Sequence, residues 1–237
     1  MREKQQIHFI GIGGIGVSAL AQYYLAKGHK VSGCDLVRSE ITDQLKKMGA
    51  KIRIKKPICN LSGVDKVIYS PAVPKNHPEL LQATSHKLQA LSYPEALGKL
   101  TKTHYTIAVA GTHGKSTTTA MIGLLLMKAG LDPTVIVGTK VKEFGPSTGS
   151  GSNCRVGKSK YLVMEADEHF ASFLNYWPKI IVLTTIEEDH LDYWKNLQNL
   201  LRGFQKYINH LPQNGILVAN KDDKNIRTIM HTLNPTV

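Results

Sequence analysis

The chain has 237 residues, 42% of them hydrophobic and 20% charged, and a formal net charge of +12. That length holds one large or two modest globular domains, and no stretch reaches the roughly 20 apolar residues of a membrane span. The three cysteines, Cys34, Cys59 and Cys154, are odd in number, far apart and without C-x-x-C spacing, which argues against a zinc site or a disulfide framework and for a reducing cytoplasm.

The polar start, Met1 to Gln6, leads directly into a strand and has no signal-peptide pattern. Lysines cluster at Lys46-Lys47, Lys55-Lys56 and Lys158–Lys160. Such a balance suits a nucleic-acid surface, anionic small substrates or simply solvated side chains. Aromatic residues do not alternate with the basic ones, so stacking on single strands is not supported.

The first expected strand is Ile7–Ile10. It runs into Gly11-Ile12-Gly13-Gly14-Ile15-Gly16, followed by a helix from about Val17 to Lys27 that Gly28 ends. Lys30–Asp35 reads as the second strand. Gly11, Gly13 and Gly16 form G-x-G-x-x-G inside a strand–helix–strand frame, with Asp35 where a ribose-binding acid belongs. This pattern identifies a nucleotide diphosphate site without saying which nucleotide. Further α/β pattern follows: a helix at Thr42–Met48, strands at Lys51–Ile54 and Asp65–Tyr69, a helix from Pro78, and a helix opened by a Ser92/Glu95 capping box. Alternating strands and helices predict a parallel sheet, whose ligands bind at the carboxyl ends of its strands. Gly11–Gly16, Asp35 and Ser70 all lie at such ends. Thr101–His104 reads as a junction, giving domains 1–102 and 103–237.

The second unit opens with an apolar strand, Tyr105–Ala110, and the loop Gly111-Thr112-His113-Gly114-Lys115-Ser116-Thr117, from which a helix leaves. Helix-start N–H groups and the helix dipole favour anions. Lys115 adds a charge for a β- or γ-phosphate, and the Ser116 hydroxyl can reach Mg2+. The spacing is shortened: the standard loop needs glycine where Val109 stands. Val135–Val137 is the next strand, and the Lys-, Gly- and Ser-rich stretch 140–159 reads as a mobile loop. Tyr161–Glu168 is an apolar strand ending in acids; Glu165, nearest the strand end, is expected to complete a Mg2+ site. Lys179–Thr184 leads to Glu187-Glu188-Asp189-His190, and His190 is expected to serve metal or phosphate. An amphipathic helix is expected over Trp194–Leu211, then a last strand at Ile216–Ala219.

Taken together, Gly11–Ala21, Ser70-Pro71-Ala72-Val73, Val109–Ala120, Glu165-Ala166-Asp167-Glu168 with Ser172-Phe173, Ile186–Asp192 and Gly215–Asp223 resemble the Mur ligase family over essentially the whole chain. The resemblance implies a Rossmann-like parallel-sheet domain followed by a P-loop-type α/β ATPase domain. It implies an ATP-dependent, amide-forming cytoplasmic enzyme of peptidoglycan synthesis, with ATP and Mg2+ as cofactors and UDP-N-acetylmuramate and L-alanine as substrates. Neither nucleic acid nor membrane insertion is implied.

By the same resemblance Gly11, Gly13, Gly14, Ile15, Gly16, Asp35 and Ser70 would hold the UDP substrate, and Gly111, Thr112, His113, Gly114, Lys115, Ser116 and Thr117 would hold ATP. Ser116, Glu165 and His190 would ligate Mg2+, with Lys115, Glu165 and His190 catalytic. Three departures stand out: serine at 116 where threonine is usual, Thr185 where asparagine is common, and His169-Phe170 where Ser-Asp is common. The family's third, C-terminal domain has no counterpart before Val237, so this polypeptide is expected to bind nucleotides and turn over poorly. The competing readings are an NAD-dependent oxidoreductase, a non-catalytic nucleotide-binding protein, and the muropeptide-recycling ligase of the same family.

Overall fold

In a computed structural model, residues 4–55, 60–145 and 151–230 are described. Cys59, Lys56 and the centre of the expected loop, residues 146–150, lie outside them. Contacts divide the chain into two compact units, Met1–Ala96 and Leu97–Val237, upstream of the expected junction.

The first unit carries β1 (Gln6–Ile10), α1 (Ile15–Ala26), β2 (Lys30–Asp35), α2 (Glu40–Lys47), β3 (Lys51–Ile54), β4 (Lys66–Tyr69), α3 (Pro78–Ser85) and β5 (Gln89–Ser92). Its five strands lie in the order β3-β2-β1-β4-β5, all parallel. Ile10 is level with both Cys34 and Tyr69, so the residues that follow, Gly11, Asp35 and Ser70, emerge side by side. β5 was not expected: it is short, and only its pairing with β4 defines it. A buried polar knot ties α3 to the sheet. The Glu79 carboxylate, fully buried, accepts from the Cys34 thiol at 2.8 Å and faces His8 Nε2 at 3.4 Å, while His8 Nδ1 meets Ser32 Oγ.

From Tyr93 the chain runs through α4 (Tyr93–Thr101) into the second unit. There follow β6 (Tyr105–Ala110), α5 (Lys115–Lys128), β7 (Thr134–Val141), β8 (Ser152–Arg155), β9 (Tyr161–Ala166), β10 (Ile180–Leu183), α6 (Leu191–Trp194), α7 (Leu197–Ile208), β11 (Ile216–Ala219) and α8 (Lys224–Met230). The sheet order is β11-β10-β6-β9-β7-β8, parallel except that β8 runs antiparallel to β7.

Three expectations change here. The stretch read as a mobile loop contains the end of β7, a 3-10 turn at Lys142–Phe144 and the edge strand β8. Its Gly and Ser content hid a pairing that only the neighbouring strand supplies. The expected amphipathic helix runs over Leu197–Ile208 only, because Trp194 closes the short α6, Lys195 adopts φ +70° and the Asn196 side chain starts α7 by accepting from Asn199 N–H at 2.9 Å. At α4, Glu95 accepts from both the N–H and the hydroxyl of Ser92, so only half of the capping box forms.

Apolar faces of the helices close over the sheets. In the second unit Phe173, Phe204 and Tyr207 pack as a fully buried aromatic cluster, with Phe173 5.2 Å from Phe204 and 4.7 Å from Tyr207. In the first unit Gly33 allows β2 to pass close to the turn after β1. A Cβ there would sit 2.6 Å from the Phe9 carbonyl and 2.8 Å from Ile12 Cδ1. Backbone cannot yield as a flexible side chain does, so Gly33→Ala is expected to destabilise the protein by about 1–3 kcal/mol, read as a lower urea midpoint. An unchanged midpoint would contradict the close packing.

Candidate active site

Each unit presents one loop at the carboxyl end of its sheet. In the first, Gly11 adopts φ +74°, a conformation that favours glycine, and its N–H and that of Ile12 both donate to the Cys34 carbonyl. Gly13 N–H donates to Asp35 Oδ2 at 2.7 Å, and Asp35 Oδ1 accepts from Val37 N–H at 3.1 Å. A Cβ on Gly13 would lie 2.9 Å from that carboxylate, and one on Gly11 would lie 3.1 Å from Ser70 Cβ. The glycines therefore admit neighbouring side chains as well as any ligand.

A cleft of about 660 Å³ opens here, lined by Gly11, Gly13, Gly14, Asp35 and Ser70 together with apolar Ile10, Leu36, Val37, Val73 and Pro74. Ile15 and Gly16 do not line it. Gly16 instead lets the Tyr93 ring approach, where a Cβ would be 2.7 Å away. Lys55 and His77 do line it and bring the cleft's basic groups. Lys55 directly follows β3, so the strand-end rule could have singled it out.

In the second unit Ala110 is level with Ala166 on β9 and with Leu183 on β10. Three strand exits are thereby aligned: the loop after β6, the acids after β9 and the threonines after β10. Gly111, at φ +132°, could carry no side chain, since a Cβ would meet Thr184 Oγ1 at 2.2 Å. Thr184 Oγ1 donates to the carbonyls of Ala110 and His113, and Thr185 Oγ1 accepts from His113 N–H at 3.2 Å. The Thr185 carbonyl accepts from Thr112 N–H, and Glu187 N–H donates to Thr112 Oγ1. Asp223 Oδ2 accepts from Ile186 N–H while its Oδ1 caps α8. The loop is thus held on its β10 side by two threonines, themselves braced by the turn after β11.

Lys115, first residue of α5, folds back. Its Nζ donates to the Gly111 carbonyl at 2.7 Å and to both oxygens of Glu168 at 3.2 and 3.0 Å. Glu168 is fully buried. Burial holds its carboxyl above the ordinary glutamate range, against the opposing pull of the Lys115 ammonium. Removing one partner of such a buried pair costs about 3–5 kcal/mol.

Glu165 lies one side chain back along β9, where its Oε1 accepts from Gly138 N–H on β7 at 2.6 Å. Ser116 is half-buried at the second position of α5, while His113, Gly114 and Thr117 are exposed. His190 Nε2 is 3.9 Å from Glu168 Oε1. Asp167, Glu168 and His190 each bring one ligand atom within 4.8 Å of the others. This mainly oxygen donor set fits a hard divalent cation.

His190 adopts φ +51°, and Phe170 and Ala171 adopt φ +52° and +53°. Each left-handed non-glycine residue costs about 1–2 kcal/mol, and such strain gathers at functional sites. Glu168, Thr184 and Asp223 were missed in the sequence. Glu168 lies two residues past the end of β9, and the turn there, not the strand register, carries it to the lysine; that turn is not visible in a single strand's residues.

Residues 6–105 match the Mur ligase family catalytic domain and residues 109–236 match the Mur ligase middle domain. The chain is 41% identical over 234 residues to the UDP-N-acetylmuramate–L-alanine ligase of Clostridium tetani, covering 98% of this chain and 50% of that protein. It is 42% identical over 226 residues to the ligase of the same name from Persephonella marina, covering 95% and 48%. The chain therefore spans about half the length of the curated relatives it matches. Among solved structures it superposes on the UDP-N-acetylmuramate:L-alanyl-gamma-D-glutamyl-meso-diaminopimelate ligase from Neisseria meningitides with a TM-score of 0.87 at 26% identity, covering 98% of this chain and 76% of that one. On the UDP-N-acetylmuramate-alanine ligase of Thermotoga maritima the TM-score is 0.80 at 28% identity, covering 94% and 51%.

The raised Glu168 carboxyl has a consequence for stability. Between the ordinary glutamate value and its raised one, the folded protein keeps a proton that the unfolded chain has released. The group's contribution to stability therefore falls as pH rises through that window. Glu168→Gln is expected to flatten this part of the pH profile, measured by urea unfolding at a series of pH values; a slope equal to the wild type's would assign the dependence to another group. Aligned strand exits, a lysine-bearing loop bound to a buried acid, and matches to two successive domains over nearly the whole chain lead to one conclusion: the chain belongs to the Mur ligase family.

Proposed function

We propose that this chain is the UDP-substrate-binding and ATP-binding portion of a cytoplasmic, ADP-forming ligase that joins L-alanine to UDP-N-acetylmuramate in peptidoglycan synthesis. The observation that carries the reading is the meeting of Lys115, buried Glu168 and His190 at adjacent strand exits. It is supported by 41% identity to proteins bearing that ligase name.

In this reading residues 1–102 hold the UDP substrate through Gly11, Gly13, Gly14 and Ser70, with Asp35 bracing their loop and Ile15 and Gly16 opening the helix behind it. Residues 103–237 hold ATP through Gly111–Thr117. Lys115 leaves Glu168 for the phosphates, and its ammonium offsets charge on the phosphoryl group in transfer. The muramoyl carboxylate takes the γ-phosphoryl group and ADP is the leaving group; the amine of L-alanine then attacks the resulting acyl phosphate, losing a proton as phosphate leaves. Ser116, Glu165 and His190 would hold Mg2+, with Glu168 beside His190. Bound Mg2+ supplies further electrostatic stabilisation of the phosphates. Glu165 and His190 would serve by holding that ion, and no protein nucleophile is required.

Asp35 bears on the nicotinamide alternative. Its two oxygens are already engaged by Gly13 and Val37 N–H groups, so its role here is to brace the loop. The structural likeness to the tripeptide ligase supplies a second reading for the amine donor.

Calorimetry on the 237-residue chain is expected to show separate binding of Mg-ATP and of UDP-N-acetylmuramate. Lys115→Met should weaken Mg-ATP by at least about tenfold, the loss of one charge-assisted contact, and leave the UDP ligand unaffected. Gly11→Val should do the converse. Stabilisation by NAD and not by UDP-N-acetylmuramate would favour the oxidoreductase. With the full-length gene product, ATP and UDP-N-acetylmuramate, phosphate release should require L-alanine; release with the tripeptide alone would select the second reading, and none with either would sink the ligase.

A further inference from the structure

Beside the phosphate loop, three ligand-type side chains meet that the proposed function leaves unused as a set. His169, His190 and Asp192 each place one ligand atom within 4.8 Å of the others. The His169 and His190 rings are stacked, with centroids 4.0 Å apart and planes 10° apart. His169 Nε2 lies 3.8 Å from Asp192 Oδ2, too far for a hydrogen bond. That nitrogen is buried and has no hydrogen-bond partner among the described residues. Buried polar atoms are nearly always partnered, and an orphan of this kind marks a place for an ion or water.

The surroundings hold the ring in place. Phe170 covers its other face, with centroids 4.0 Å apart. Phe170 and Ala171 take left-handed backbone conformations immediately after it, and His190 takes another on the facing loop. His169 is therefore clamped between two rings by a backbone that is strained on both sides of the stack.

We propose that His169, His190 and Asp192 form a binding site for a first-row transition-metal ion. Two imidazoles and one carboxylate suit Co2+, Zn2+ or Ni2+, whereas Mg2+ prefers oxygen. Ligands about 2.1 Å from one ion lie closer together than these atoms do, so binding tilts the stacked rings together at their nitrogen edge and draws in Asp192, whose side chain is 70% exposed and can move. The site needs no nucleotide. It shares His190 with the proposed Mg2+ ligands and differs from them in His169 and Asp192, so it can stand if the ligase reading fails.

The test is Co2+ titration of the 237-residue chain without nucleotide, followed by visible absorption and calorimetry. One equivalent should bind, with bands of nitrogen ligation, and an equal concentration of Mg2+ should not displace it. His169→Ser and Asp192→Asn should each weaken Co2+ by about tenfold or more, while Glu165→Gln should leave it unchanged. Asp192 is exposed, so its variant remains informative should His169→Ser unfold. Equal affinity and an identical spectrum in wild type and Asp192→Asn, or displacement by equal Mg2+, would overturn the proposal.

Discussion

The second unit depends on one buried ion pair. Lys115 and Glu168 come from different strand exits and meet where the sheet, α5 and the turn after β9 leave little water. Taking both charges out of solvent is expensive, and their attraction offsets that cost only with good geometry and additional hydrogen bonds. Both conditions hold: the lysine reaches both carboxylate oxygens and also the Gly111 carbonyl. A carboxylate thus occupies the position beside the helix start where the dipole favours negative charge.

The first unit solves the same problem with neutral donors. There the acid after the neighbouring strand, Asp35, accepts from the N–H groups of Gly13 and Val37. In both units an acid from the adjacent strand closes the loop after the central strand. The difference lies in what the acid holds. Asp35 holds backbone and so fixes the loop's shape; Glu168 holds a side chain, which can be exchanged for another anion without unmaking the loop. Thr184 and Thr185 keep that backbone in place independently of the lysine.

Much of this was legible in the residues. β2, β3 and β6 fall where their apolar runs and stops put them, because a strand bounded by glycine and charge has few alternatives. The two glycine loops were legible for the same reason: strand, turn and helix follow one another within a dozen or so residues. What stayed hidden was set by distant partners. β5 and β8 are too short and too polar to announce themselves, and each exists through its neighbour. The break between α6 and α7 turns on the backbone of Lys195, which the apolar periodicity of Leu197, Leu200, Leu201 and Phe204 passes over. Glu165 stood out as the acid nearest a strand end, yet the fold turns it to Gly138 and brings Glu168, three residues on, to the lysine. Alternation of side chains along a strand is readable, but the turn that carries Glu168 back over the loop is not.

The strand order carries a consequence for how the chain assembles. β6 is the first strand of its unit to be made, yet Tyr105 pairs with Tyr161 and Ile107 with Ile180. Both sides of this central strand wait for sequence far downstream, and closing such long loops is entropically unfavourable before the contacts form. The antiparallel β7–β8 pair is the local exception. As the polypeptide leaves the ribosome, the loop from Gly111 to Lys115 is therefore an early piece of sequence and a late piece of structure. It acquires its bracing only after residues 184 and 185 have emerged and β10 has docked.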